Sequence, residues 1–253
     1  MTTTLVELEH YLDELLVPTK FQDYCPNGLQ VEGRTQISLI VTGVTASQAL
    51  IEEAVRSNAD AILVHHGYFW KGESPVVRGM KRRRLATLLA NDVSLLAYHL
   101  PLDAHPQLGN NASLGKLMGF DKWAIADAAD ASGLVSVGQL PESIRAGEMV
   151  ERLGVLTDRE CLHIGDPHTL VMKVAWCTGG AQGYIHEAVT ADADMYITGE
   201  ASEQTVHIAR EEGIHFVAAG HHATERYGVQ AVGDHLADIF DLEHRFIDIE
   251  NPV

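Results

Sequence analysis

Four short segments hold the side chains whose types and spacing could do chemistry. The first is Val64-His65-His66-Gly67, two adjacent imidazoles behind an apolar run. Neighbours on a regular strand point to opposite faces. Both histidines can serve one site only if the strand has ended before them, and Gly67 supplies the break. The competing reading is a polar pair that caps a strand. The second segment is His99-Leu-Pro-Leu-Asp103. Asp103 is a hard oxygen donor, suited to a divalent metal beside imidazole; otherwise it is a turn residue after Pro101. The third is Gly220-His221-His222-Ala-Thr-Glu225. His221 and Glu225 are four apart and share a helix face. His222 is three from Glu225, and spacing does not choose between the two histidines. The fourth is Ile197-Thr-Gly-Glu200. Glu200 is a proton-handling or ligand-orienting carboxylate, or an acidic residue favoured by a helix dipole.

Nitrogen and oxygen donors without thiolate suit Zn, Fe, Mn, Co or Ni rather than a structural cysteine site. Five ligands are too many for one catalytic zinc that keeps an open position. They suit two divalent ions that share a bridging carboxylate and a bridging water. Two dications bring four positive charges and two carboxylates return two. The remainder favours hydroxide as the bridge, a nucleophile near neutral pH.

The elements that must position these residues follow from periodicity. Leu5, Leu8, Leu12, Leu15 and Leu16 recur at helical spacing behind Thr4, an N-cap residue type. Strands are predicted over 37–44, 61–64 and 93–98, and helices over 47–56 and 81–91. The texture changes between 121 and 166, with a strand at 134–137 and then a helix capped by Ser143. Strands then follow at 171–177, 195–198, 215–219 and 245–249, with helices at 181–189, 202–212 and 223–240. Each of the four segments sits at a strand end, where open α/β sheets form sites. Shifted by 134 positions, Gln48, Ile51, Glu53, Ala54, Val55, Ala59 and Asp60 fall on Gln182, Ile185, Glu187, Ala188, Val189, Ala193 and Asp194. The matched element order makes this an internal duplication. The expected fold is α/β, with two similar lobes spanning 1–120 and 121–253 and part of the C-terminal segment packing back on the first. A cleft between two such lobes is a favoured place for a site.

Composition narrows the functions. The formal net charge of −17 repels nucleic acid at long range, although bound metal ions can invert the sign locally. Lys81-Arg-Arg-Arg84 is the one basic run, an anion attractor or a solvated helix face. Fourteen histidines are a surplus that hints at metal or acid–base chemistry. Cys25, Cys161 and Cys177 form no C-x-x-C pair, so reduced thiols in a cytoplasmic protein are expected. The first residues lack the pattern of a signal peptide, and no apolar run spans a bilayer. Thr178-Gly-Gly-Ala-Gln-Gly183 can cradle a phosphate or make a tight turn, and it lacks the P-loop lysine. Tyr68-Phe69-Trp70 is an aromatic wall beside the histidine pair or ordinary core.

In their order, Asp60-Ala-Ile-Leu-Val-His-His-Gly67, His99-Leu-Pro-Leu-Asp103, Asn110-Asn111, Thr198-Gly-Glu200 and Gly220-His-His-Ala-Thr-Glu225 resemble the motifs of the NIF-three-like family. It is also called the GTP cyclohydrolase I type 2 family, or dinuclear metal centre proteins. The resemblance covers essentially the whole chain and is closest to the YbgI-like branch, where Tyr-Phe-Trp-Lys-Gly-Glu-Ser-Pro also follows the histidines. It implies two α/β lobes with a two-metal site between them and assembly as a toroidal hexamer. By motif, His65, His66, Asp103, His221 and Glu225 become the ligands, with Glu225 as bridge. Many relatives have Pro in place of Gly67, and many carry an inserted domain that this chain lacks.

The first functional reading is a metal-dependent hydrolase of a nucleotide or related phosphorylated ring compound, with Glu200 or His99 managing protons. The alternative is a metal-binding scaffold or metallochaperone that recruits a protein or nucleic-acid partner. Multiple-turnover chemistry separates the two.

Overall fold

The computed structural model describes residues 2–126 and 133–253. The interior of the stretch with changed texture, 127–132, lies outside the described residues. Two compact units are formed. One comprises the chain up to Gly109 with Gly228–Glu250; the other comprises Asn110–Tyr227 with Asn251–Val253. The sequence predicts a division at 120/121; the first boundary between the units falls at Gly109/Asn110.

The first unit begins with β1 (Thr3–Thr4), α1 (Leu5–Leu16), β2 (Gly28–Val31), β3 (Gln36–Ile37), β4 (Leu39–Thr45) and α2 (Gln48–Arg56). It continues with β5 (Ala61–His66), α3 (Gly79–Ala90), β6 (Ser94–Ala97) and α4 (Leu100–Ala104). The second holds α5 (Asn110–Met118), β7 (Trp123–Ile125), β8 (Ser136–Arg145), α6 (Ala146–Thr157) and β9 (Leu162–Ile164). Then come β10 (Leu170–Trp176), α7 (Ile185–Thr190), β11 (Met195–Thr198), α8 (Glu203–Glu212), β12 (His215–Ala218) and α9 (His221–Thr224). Most of α10 (Arg226–Phe240) and all of β13 (Glu243–Phe246) belong to the first unit again.

In the first unit the strand order is β13-β4-β5-β6-β2, parallel except for β2 at the edge. Parallel strands covered on both faces read as continuous apolar runs, which explains Ala61-Ile-Leu-Val64. Ile40, Leu63 and Leu96 pack with Leu5, Leu8 and Leu12 of α1 and with Val229, Val232 and Leu236 of α10. Their neighbours Val41, Ile62, Val64 and Leu95 pack the other way, with Leu50, Ile51 and Ala54 of α2. Each fully buried leucine of this kind contributes about 1.5–3 kcal/mol. Helix α1 starts at a capping box: Thr4 Oγ1 accepts the Glu7 N–H, and the Glu7 carboxylate accepts the Thr4 N–H.

The second unit has the order β7-β8-β10-β11-β12-β9. Its centre β10-β11-β12 is parallel, flanked by antiparallel β8 and β9. The duplication reaches individual hydrogen bonds. Asp60 Oδ2 accepts the N–H groups of Ser38 and Leu39 at the start of β4. Asp194 Oδ2 accepts those of Met172 and Lys173 near the start of β10, and all three pairs of residues differ by 134. The Asp60 and Asp194 N–H groups in turn donate to the carbonyls of Leu39 and Lys173. Asn58 and Asp192, another pair at this shift, both take positive φ, 57° and 56°.

Four sequence expectations are corrected. Ser143 caps no helix: it lies inside β8, whose Ile144 and Arg145 pair with Val171 and Leu170. Cross-strand pairing overrides the local cap signal, and α6 starts after Arg145 without a side-chain cap. Strand β5 does not end before the histidines but includes both, with His66 opposite Thr45. The single helix expected from 223 is divided at Glu225 into α9 and α10. Around Pro101 the chain forms helix α4 rather than a turn, and β2 and α5 form where periodicity predicts no element.

Candidate metal centre

In the first unit the donors sit at the carboxyl ends of β5 and β6. The His65 and His66 ring centroids lie 4.6 Å apart, so the rings converge although both residues are on the strand. His99 follows β6, with its ring 4.9 Å from His65 and 5.7 Å from His66. One ligand atom from each of these three residues lies within 4.8 Å of the others. His65 is fully buried, and its Nδ1 lies 3.1 Å from the Tyr98 carbonyl oxygen. A carbonyl only accepts, so Nδ1 carries a proton and Nε2 is the nitrogen turned away from Tyr98. Nε2 faces Asp103 Oδ1 at 3.5 Å. His66 Nδ1 is placed by the Thr45 hydroxyl at 3.1 Å. His99 Nδ1 donates to Asp23 Oδ1 at 2.7 Å, which again turns Nε2 outward. Pro101 near the start of α4 sets the short helix whose Asp103 is buried.

Asp23 had no signal in the sequence, since 76 residues separate it from His99. Its carboxylate also accepts from the Asn27 amide and the Leu100 N–H. Burial raises the Asp23 pKa, but the hydrogen bonds and the charge of His99 outweigh it and hold the group down at about 2. Cys25 has a ligand atom in range of Asp23 and His99. Burial and the Asp23 charge push its thiol up to about 12, so it is neither a ready ligand nor a nucleophile.

In the second unit His221 opens α9 between two carboxylates. Its Nδ1 lies 2.6 Å from Glu200 Oε1, and its Nε2 lies 3.3 Å from Glu225 Oε2. Glu225 is 2% exposed. Burial lowers the His221 pKa, but Glu225 and then Glu200 outweigh it and raise it to about 9. A proton there does the work of a cation between two anions. Gly179 makes room for the pair: at φ 71°, a Cβ on it would stand 2.0 Å from Glu225 Oε1. Thr224 Oγ1 accepts the Gly179 N–H and ties that loop to α9. His222, also buried, donates its backbone N–H to the Val253 carbonyl.

His65, His66, His99 and Asp103 are thus gathered in the first unit, and Glu200, His221 and Glu225 in the second. The donor chemistry fits divalent cations. His65, His99 and His221 each have Nδ1 bonded to a carbonyl or carboxylate and Nε2 turned to other donors, the arrangement that orients metal-binding histidines.

The family model of Duf34/NIF3 (NGG1p interacting factor 3) matches residues 3–252. A Pseudomonas aeruginosa protein described as a GTP cyclohydrolase 1 type 2 homolog is 55% identical over 252 residues, covering 100% of this chain and 98% of its own. The Escherichia coli protein of the same description is 54% identical, covering 97% and 98%. A solved structure described as protein ybgI, of unknown function, superposes with a TM-score of 0.94 at 52% identity, covering 99% of this chain and 100% of its own. The chain belongs to the Duf34/NIF3 family.

Proposed function

We propose that this chain holds two divalent ions through His65, His66, Asp103, His221 and Glu225, with Glu225 shared, and hydrolyses a nucleotide or related phosphorylated ring compound. The observation that carries the reading is the repeated orientation of imidazoles, Nδ1 held from behind and Nε2 presented, at His65, His99 and His221. Divalent ions would supply Lewis acidity and bring the pKa of water toward neutrality. The protein's own part is proton handling and orientation. His99, braced by Asp23, can give or take a proton at Nε2. Glu200 holds His221 Nδ1–H and keeps the ring in one tautomer. The description of the 55% identical relative as a GTP cyclohydrolase 1 type 2 homolog supports a nucleotide as substrate.

The test is metal analysis followed by a multiple-turnover nucleotide panel read by mass spectrometry. Close to two ions per chain and a product that accumulates beyond one equivalent are expected. A second reading, a metal-holding scaffold for a protein partner, is favoured by the family's description as an interacting factor. Two ions with no turnover on any nucleotide would select it. A ring of six copies in the cytoplasm completes the proposal; a monomeric native mass would remove the ring. Among the described residues no helix is long and apolar enough to cross a membrane.

A further inference from the structure

We infer that Trp70 is a stacking wall for a planar heteroaromatic ring, so that the ring of the bound compound, rather than its phosphate chain, lies beside His66 and His99. This deepens the nucleotide reading and rests on it. The Trp70 ring stands 5.1 Å from His99, edge to face at 85°, and 6.1 Å from His66. Part of its surface is open to solvent. Trp176 shows what a structural tryptophan looks like in this chain: fully buried and stacked on Phe120 at 4.8 Å.

The segment that carries Trp70 is fixed in place. Gln30 accepts the Tyr68 N–H at 2.7 Å and donates to the Tyr68 carbonyl, while the Tyr68 hydroxyl donates to the buried Ala46 carbonyl at 2.7 Å. Trp70 Nε1–H donates to the Gly67 carbonyl and Trp70 N–H to Glu73, each at 3.2 Å. Between these anchors Phe69 takes φ 65°, a conformation that bulky residues avoid. Lys81 holds it there, with its ammonium 4.8 Å from the Phe69 ring centroid and 3.2 Å from Glu73. Strain of this kind persists only where the surroundings over-determine it, and it clusters at ligand clamps. An indole held in this way offers a π-face, which accepts any base and gives phosphate nothing to bind.

The test is calorimetric binding to the metal-loaded protein of three probes: GTP, guanosine and inorganic triphosphate. Trp70→Leu should weaken GTP and guanosine about 5- to 150-fold, the range that base–aromatic stacking spans. It should leave inorganic triphosphate and the metal content unchanged. Trp70→Phe, which keeps a π-face and guards against misfolding, should restore most of the affinity. Equal binding of GTP by wild type and Trp70→Leu overturns this inference alone. So does loss of metal in Trp70→Leu, since the ring would then only buttress the histidines. Failure of wild type to bind either guanosine compound overturns both this inference and the nucleotide reading.

Discussion

The end of β5 and the end of β11 occupy the same place in the two copies of the repeat, and they carry opposite chemistry. At the shift of 134 positions, His65 and His66 correspond to Gly199 and Glu200. In the first unit the strand end itself supplies the donors, two imidazoles placed by Tyr98 and Thr45. In the second the strand end is stripped back. A Cβ on Gly199 would meet the Gly179 carbonyl and the His221 Cα, both at 2.6 Å, so the backbones pass where a side chain could not. The donors come instead from α9 and the residue after it, and Glu200 serves as a brace for His221. Duplication thus kept the scaffold, down to the Asp60 and Asp194 clamps, and exchanged the roles of its tips.

The largest effect is expected from Glu225, the carboxylate proposed to be shared. Glu225→Gln keeps the shape and one acceptor oxygen but removes the charge. It should leave at most one tightly bound ion per chain, whereas Asp103→Asn should weaken mainly one ion. His221→Ala should reduce metal binding while His222→Ala spares it. Calorimetric titration with metal, with circular dichroism as folding control, reads all four. Two tight ions in Glu225→Gln would end the bridging assignment.

Next comes Gly179→Ala, which probes the stripped strand ends. The left-handed φ costs an alanine about 1–2 kcal/mol, and the new methyl must displace the Glu225 carboxylate. A lower melting temperature should accompany weaker metal binding. Unchanged metal affinity would show that Glu225 can move without loss.

The braces should differ in pH. In the metal-free chain His221 has a folded pKa of about 9 against an ordinary 6.5. Its stabilisation is complete below about 6.5 and is lost as pH rises through 9. Asp23 is the reverse, about 2 against 3.8, so its contribution holds above 3.8 and is lost as pH falls toward 2. Glu200→Gln should flatten the alkaline side of the stability curve and Asp23→Asn the acid side, as read by thermal unfolding of the metal-free protein. Metal affinity should drop about 10- to 100-fold in Glu200→Gln.

The smallest effects test what the repeat did not keep. Helix α2 is capped by Ser47, whose hydroxyl accepts the Leu50 N–H, while its counterpart α7 has no side-chain cap. Helix α8 is capped by Ser202, whereas α3 lacks such a cap. Ser47→Ala and Ser202→Ala should each cost about 1 kcal/mol and leave metal binding alone. A change in metal stoichiometry in either would mean that the caps also set the strand tips.

Much of this molecule was legible in the residue order. Apolar periodicity placed α1, α2, α8 and the parallel strands, and Thr4 marked the start of α1 as a cap. The repeat was visible in Gln48 to Asp60 against Gln182 to Asp194, and the donor segments stood out as histidines and carboxylates at strand ends. These signals are local, set by helical and strand periods and by cap chemistry within a few residues. What the tertiary structure decided is not local. Asp23 reaches His99 across 76 residues, and the Tyr98 carbonyl, just past the end of neighbouring β6, holds His65 Nδ1. Pairing with β10 carries β8 through Ser143 despite its cap-like sequence, and the C-terminal segment, expected to pack back on the first lobe, does so as β13 in register with β4. Sheet register and chain closure settle which distant groups meet, and hydrogen-bond partners fixed in that way leave no period in the sequence.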